Sequence, residues 1–219
     1  MSTIAIAPAP VETTERRRAL LETALVMGAF HAYIYFGRPS FAADLGVLGG
    51  LTVAVFAIFA RRGETAASVA YLGDVRRAAR LLWPFALASV LGATALRLAF
   101  GPVRPMEVFP GIFLALLAYP VWGFVQQLFY VGFMYRGLVR GGLSEPSAIA
   151  ASGLAFGLIH APNWLLVAAT LPLGLVCAWA YRRAPSILVL GLLHGIGGAL
   201  AMKVLGMDLE IGAGFVRPH

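Results

Sequence analysis

The chain is a succession of long apolar runs separated by short polar stretches rich in arginine, glycine and proline. Seven runs stand out, over roughly 19–37, 41–60, 81–100, 111–135, 147–161, 164–181 and 186–206. Most approach the ~20 residues that an α-helix needs to cross the hydrocarbon core of a bilayer. None shows the short alternating segments of a membrane β-barrel. The pattern predicts an all-α, polytopic membrane bundle of about seven transmembrane helices. The fourth run contains Pro120, which predicts a kink or an interfacial start. The fifth is short and stops at Pro162, which predicts a tilted or protein-buried segment. Between the second and third runs, residues 64–80 (ETAASVAYLGDVRRAAR) are amphipathic and basic, and are expected to lie at the membrane surface.

These runs give an organisation of three parts. Residues 1–18 are an expected disordered, basic amino-terminal segment, 19–206 the transmembrane domain, and 207–219 a short tail. Arg16, Arg17 and Arg18 precede the first run, as they would in a signal peptide. That run is long and aromatic and carries no cleavage site, so it is expected to be retained as the first helix.

Composition agrees with a lipid-solvated chain. Hydrophobic residues make up 60% and charged residues 12%, with a mean hydropathy of +0.82. Soluble domains carry roughly 25% charge, so this sequence cannot cover its own surface with polar groups. The net charge of +7 would suit a nucleic-acid partner, but the arginines occur as short clusters at the ends of apolar runs. They read as topology signals and contacts with anionic lipid head groups. The expected partner is membrane lipid, with no nucleic acid.

With the amino terminus inside, the inner ends hold Arg16, Arg17, Arg18, Arg61, Arg62, Arg76, Arg77, Arg80, Arg136, Arg140, Arg182 and Arg183, against Arg38, Arg104 and Arg217 outside. This asymmetry predicts an odd number of spans and an outer carboxyl terminus. The expected location is a prokaryotic cell membrane, with a cytoplasmic amino terminus. Cys177 lies alone inside a run and reads as a packing residue. No cofactor motif is present, and no cofactor is expected.

At membrane depth the polar side chains are the informative ones. They are His31, Asp44, Arg97, Gln126, Gln127, His160, Asn163, His194 and Lys203. Asp44, Asn163 and Lys203 fall at run ends, where a structural role is expected, and Arg97 is placed to snorkel. His31 suits either an interhelical hydrogen bond or a functional role. Gln126 and Gln127 are adjacent on the fourth run, His160 ends the fifth, and His194 lies in the last. Phe156 and His160 share one helix face. Three sites on three late helices can converge on one interior, as catalytic groups or as hydrogen-bonding glue. Gly153 to Gly157 and Gly191 to Gly195 have the spacing of close helix contacts.

At these residues the chain resembles the CPBP family of intramembrane proteases, also called the CAAX protease and bacteriocin-processing, or Abi, family. The resemblance covers about 111–200. The family carries Glu-Glu-x-x-x-Arg-Gly on one helix, Phe-x-x-x-His on the next and His-x-x-x-Asn or Asp on a later one. Here the motifs map onto Gln126-Gln127-Leu128-Phe129-Tyr130-Val131-Gly132, Phe156 to His160, and His194 to Gly198. Glutamines thus replace both glutamates, Val131 the arginine and Gly198 the last polar residue. In the family the first glutamate is thought to activate water and the histidines to position it or to stabilise the oxyanion. An amide is not a base near neutral pH. Loss of the arginine together with the glutamates reads as a coupled change, because a buried cation without its carboxylate is costly.

The resemblance implies an intramembrane endopeptidase with a degenerate motif, acting on a membrane-associated or lipidated protein. His160, His194, Gln126 and Gln127 are then the expected catalytic residues. A neutral histidine is one possible base, with the glutamines as donors. A metal held by the two histidines is a weaker alternative, since glutamine is a poor ligand, and no metal is expected. The alternative functions are an inactive relative that binds or escorts a membrane partner, and a small-molecule channel or carrier. Glu107 sits where it could fold back over the outer mouth.

Overall fold

A computed structural model describes residues 13–37, 40–101, 111–207, 209 and 211–212. The described residues form helices and loops only. In chain order the helices are α1 (Thr13–Phe36), α2 (Phe41–Arg61), α3 (Val75–Phe100) and α4 (Ile112–Gln127). A π-helical segment (Leu128–Tyr135) continues α4 directly into α5 (Arg136–Arg140). α6 (Glu145–Leu158), α7 (Trp164–Arg183) and α8 (Ile187–Leu205) complete the bundle. The predicted all-α architecture is therefore observed, with each predicted run carried by one helical unit. Five helical stretches are long and apolar enough to cross a membrane: 13–36, 42–61, 75–100, 113–140 and 164–183. α6 and α8 are shorter. Leu98 and Phe100 are each 82% exposed at the end of α3, an arrangement suited to lipid and not to water.

Residues 64–80 are mostly exposed and divide between a loop and the start of a helix. A turn-rich loop follows α2, and α3 begins at Val75, capped by the Asp74 side chain accepting from the Arg77 N–H. The loop tucks beneath the start of α8. Val69 is fully buried, and the Ile187 and Leu188 N–H groups donate to the carbonyls of Ala70 and Tyr71. Gly73 sits at φ +58, and a Cβ there would lie 1.8 Å from the Pro185 carbonyl oxygen. Such pairing between distant stretches of chain leaves no periodicity to read in the sequence.

Two helix pairs make the framework, and both are joined through glycine. Where α4 crosses α8, a Cβ on Gly123 would meet the Gly191 oxygen at 2.4 Å, and one on Gly195 would meet Pro120 Cα at 2.4 Å. Where α6 crosses α7, a Cβ on Gly157 would meet Leu171 Cα at 2.7 Å, and one on Gly153 would meet the Leu175 nitrogen at 2.8 Å. Backbones can approach this closely only where side chains are absent. The π-helical segment sits in the middle of the core. Phe129 stacks on Phe30 of α1 at 4.9 Å between centroids, and Tyr130 meets Phe156 of α6 edge-on at 5.2 Å.

One end of the bundle is rich in arginine. Glu22 pairs with Arg18 at 2.9 Å and with Arg61 and Arg62. Glu64 pairs with Arg136 at 2.6 Å, Arg140 at 3.3 Å and Arg62 at 3.8 Å. Arg182 pairs with Glu145. At the opposite end, residues after α8 fold back, and the Gly212 N–H donates to the Ala161 carbonyl.

Candidate functional site

A cavity of about 480 Å³ lies between α3, α4, α7 and α8. Its lining is apolar over most of its surface, and Gln126, His160 and His194 all reach it. The three side chains are nearly buried, at 2%, 5% and 8% exposure, so all face the protein interior and none faces lipid. Gln127 has a different place. It is fully buried, does not line the cavity, and neither of its amide heteroatoms has a hydrogen-bond partner.

Each position follows from local structure. Gln126 lies three residues beyond Gly123, and the tight α4–α8 crossing brings it to the cavity that His194 also lines. His160 stands in the turn after α6. Its Nδ1 lies 2.9 Å from the Phe156 carbonyl oxygen and 3.1 Å from Thr170 Oγ1 of α7. A carbonyl can only accept, so in the neutral ring Nδ1 carries the proton. The Thr170 hydroxyl donates at 2.8 Å to the Leu166 carbonyl, which leaves its lone pairs to accept from His160. The lone pair of His160 is therefore on Nε2.

The Phe156 ring meets both imidazoles edge-on, at 5.4 Å from His160 and 4.9 Å from His194. Gln126 Oε1 and His194 Nδ1 are buried and have no hydrogen-bond partner in the protein. Buried polar atoms left unpaired in this way are costly and are available to a ligand. Thr170 was not among the sequence candidates. A lone threonine in the apolar stretch WLLVAAT is its only sequence signal.

The remaining candidates lie elsewhere. His31 Nδ1 donates to the Met27 carbonyl at 2.8 Å, and the Tyr130 hydroxyl lies 3.3 Å from its Nε2. It is an interhelical hydrogen bonder. Asn163 caps α7 by accepting from the Leu166 N–H, and Asp44 accepts from the Tyr33 hydroxyl at 2.8 Å. Glu107 lies outside the described residues.

Among the described residues no carboxylate lines the cavity. No group of three histidine, cysteine, aspartate or glutamate side chains is placed to hold a metal among them. Two imidazoles and a neutral amide fall short of the three strong protein ligands of a catalytic zinc site. What the arrangement offers is one imidazole lone pair, a second imidazole, and an amide that donates and accepts, all in an apolar chamber.

The positions that depart from the resemblance are filled. Val131 is buried in the π-helical segment. At Gly198, an added Cβ would lie 3.3 Å from the Tyr119 ring. The model of one protein family, described as type II CAAX prenyl endopeptidase Rce1-like, matches residues 108–200. This segment contains Gln126, His160, His194 and both framework pairs as far as Leu200. No curated protein and no solved structure matches the chain.

Proposed function

We propose that this protein is an intramembrane endopeptidase of the CAAX-protease type, acting on an apolar segment of a membrane-associated or lipidated protein. The observation that carries this reading is the convergence of Gln126, His160 and His194 on one cavity within the Rce1-like segment. The chemistry assigns each a role. His160 Nε2 takes a proton from water as the water oxygen bonds to the peptide carbonyl carbon. The carbonyl π electrons move to oxygen, where the Gln126 amide N–H and the ring N–H of His194 stabilise the charge. The C–N bond then breaks, and His160 returns its proton to the leaving amine. Thr170 and the Phe156 carbonyl hold His160 in the tautomer that this requires. Gln127 has no role in the proposed reaction, because it does not reach the cavity.

A second reading has its own observation. Among the described residues the cavity has no carboxylate, and an imidazole alone must replace the base that the resemblance implies. A relative that binds the same apolar segment without cutting it uses the same walls.

One experiment separates the two. The full-length protein is purified and offered a panel of membrane-inserted and lipidated peptides beside His160→Ala and His194→Ala. Cleavage by the parent is expected, falling in each variant by about 10²-fold or more. Cleavage that survives both substitutions refutes the assigned roles. Peptide retention without cleavage refutes the endopeptidase and selects the second reading.

A further inference from the structure

The arginines at the basic end of the bundle differ in their ion pairing. Arg16, Arg17 and Arg183 make none among the described residues, but Arg183 lies over the Trp179 ring and Arg16 and Arg17 stand on α1, which does not line the cavity. Arg18, Arg61, Arg62, Arg136, Arg140 and Arg182 are each tied to Glu22, Glu64 or Glu145. Arg76, Arg77 and Arg80 are exposed in the first two turns of α3 and make no ion pair among the described residues. The nearby carboxylate, Asp74, is already engaged as the helix cap. These three cations stand at the positive end of the α3 dipole, where like charge is disfavoured and an anion is favoured. A positively charged site of this kind calls for an anionic ligand from outside the chain.

The same helix supplies a wall of the cavity. Ala79, Ala86 and Ala93 recur at seven-residue intervals along the lining, and their small side chains leave the space open. Arg76 shares a face with Trp83 and Val90, seven and fourteen residues on, and both of these line the cavity. Trp83 is 59% exposed, so the chamber opens past it towards the surroundings of α3. Arg76 and Arg80, one turn apart, therefore stand at one end of an apolar channel, with Arg77 about 100° further round, on a helix that is almost wholly exposed along its length. An anionic head with an apolar chain matches both parts. The surroundings of a membrane-crossing helix supply such a molecule directly.

We propose that α3 carries a binding site for an anionic phospholipid. The phosphate head group is held by Arg76, Arg77 and Arg80, and one acyl chain runs past Trp83 into the cavity between α3 and α8. The head-group contacts do not depend on whether the cavity cuts peptides, but the acyl chain shares that cavity with the proposed peptide substrate.

The test uses the full-length protein, loaded with equal amounts of phosphatidylglycerol and phosphatidylcholine of identical acyl chains. Retained lipid is read by native mass spectrometry. The parent is expected to retain phosphatidylglycerol at least about tenfold better. Arg76→Gln/Arg77→Gln/Arg80→Gln is expected to lose that preference, and the corresponding triple lysine variant to recover most of it. Ala86→Trp, which fills the channel, is expected to lower retention of both lipids. Arg16→Gln/Arg17→Gln, which neutralises exposed arginines of α1 away from the cavity, is expected to lower the preference far less than the α3 triple. The proposal is overturned if the α3 glutamine triple keeps the preference, or if the α1 double loses as much. It is equally overturned if glycerol phosphate displaces the lipid at equal concentration, since the apolar channel then contributes nothing. Should the α3 triple lose binding of an acidic-flanked transmembrane peptide while lipid preference stands, the arginines serve a protein partner and the lipid site is wrong.

Discussion

A glutamine is nearly the shape of a glutamate, so Gln126→Glu looks like a repair. Its surroundings argue otherwise. The new carboxyl group would be buried at the cavity wall, with Val131 where the resemblance implies an arginine. At position 198 the space next to the backbone is bounded by the Tyr119 ring, so a longer side chain cannot simply be added there. Gln126→Glu alone is therefore expected to give no robust peptide cleavage and to lower stability by about 1–3 kcal/mol. Peptide assays and thermal unfolding in detergent read the two effects, and cleavage well above the parent contradicts the expectation. At this scale the sequence disclosed much. Scarce polar residues in apolar runs pointed to Gln126, His160 and His194. It could not separate Gln126 from Gln127, because the choice depends on how α4 is rotated against α8. Thr170 escaped because its role is a single hydrogen bond to a ring ten residues away.

The crossing of α4 and α8 brings Gln126 and His194 to one cavity, and it has no slack. Gly195→Ala would place a methyl group 2.4 Å from both Pro120 Cα and the Tyr119 oxygen. Both are backbone atoms, so the helices must separate. A loss of about 1–3 kcal/mol is expected, seen as a lower melting temperature. Gly197→Ala, on the same helix with nothing within 4 Å of its added methyl, is the control expected to melt like the parent. Equal melting of the two variants would show that the crossing tolerates the methyl. Element positions were legible because lipid imposes long apolar runs, and the glycine spacings foretold the close pairs. The anchoring of the loop before α3 was not legible for a physical reason. Its buried Val69 and its hydrogen bonds to residues 185–188 satisfy partners far along the chain, whereas amphipathic character is a local measure. Gly73 followed by Asp74 was the signal that a helix starts at Val75.

Across the whole molecule, Glu64 ties the loop to α2 and α5. Its side chain is 5% exposed, and Arg62, Arg136 and Arg140 converge on it. Glu64→Gln keeps the shape and removes the charge. It is expected to cost about 1–3 kcal/mol, below the figure for a fully buried pair because Arg140 and Arg136 keep contact with water. Protease nicking of the loop around residues 63–74 should rise alongside a lower melting temperature, and unchanged values in both would show that the cluster is ornamental. Arg136 reaches Glu64 at the end of the π-helical segment, which has a further implication. An i→i+5 ladder holds more residues per turn than the α-helices on either side. Deleting one residue within 128–135 would let an ordinary ladder run straight through. Gln126 would keep its seat, and Arg136 would stay near its present direction, whereas the same deletion inside an ordinary α-helical turn would swivel everything beyond it by about 100°. The wide ladder thus absorbs a residue that would otherwise put the chamber and the charged base out of phase, and it makes this stretch the one place in the helix where a shortened chain is expected to keep both.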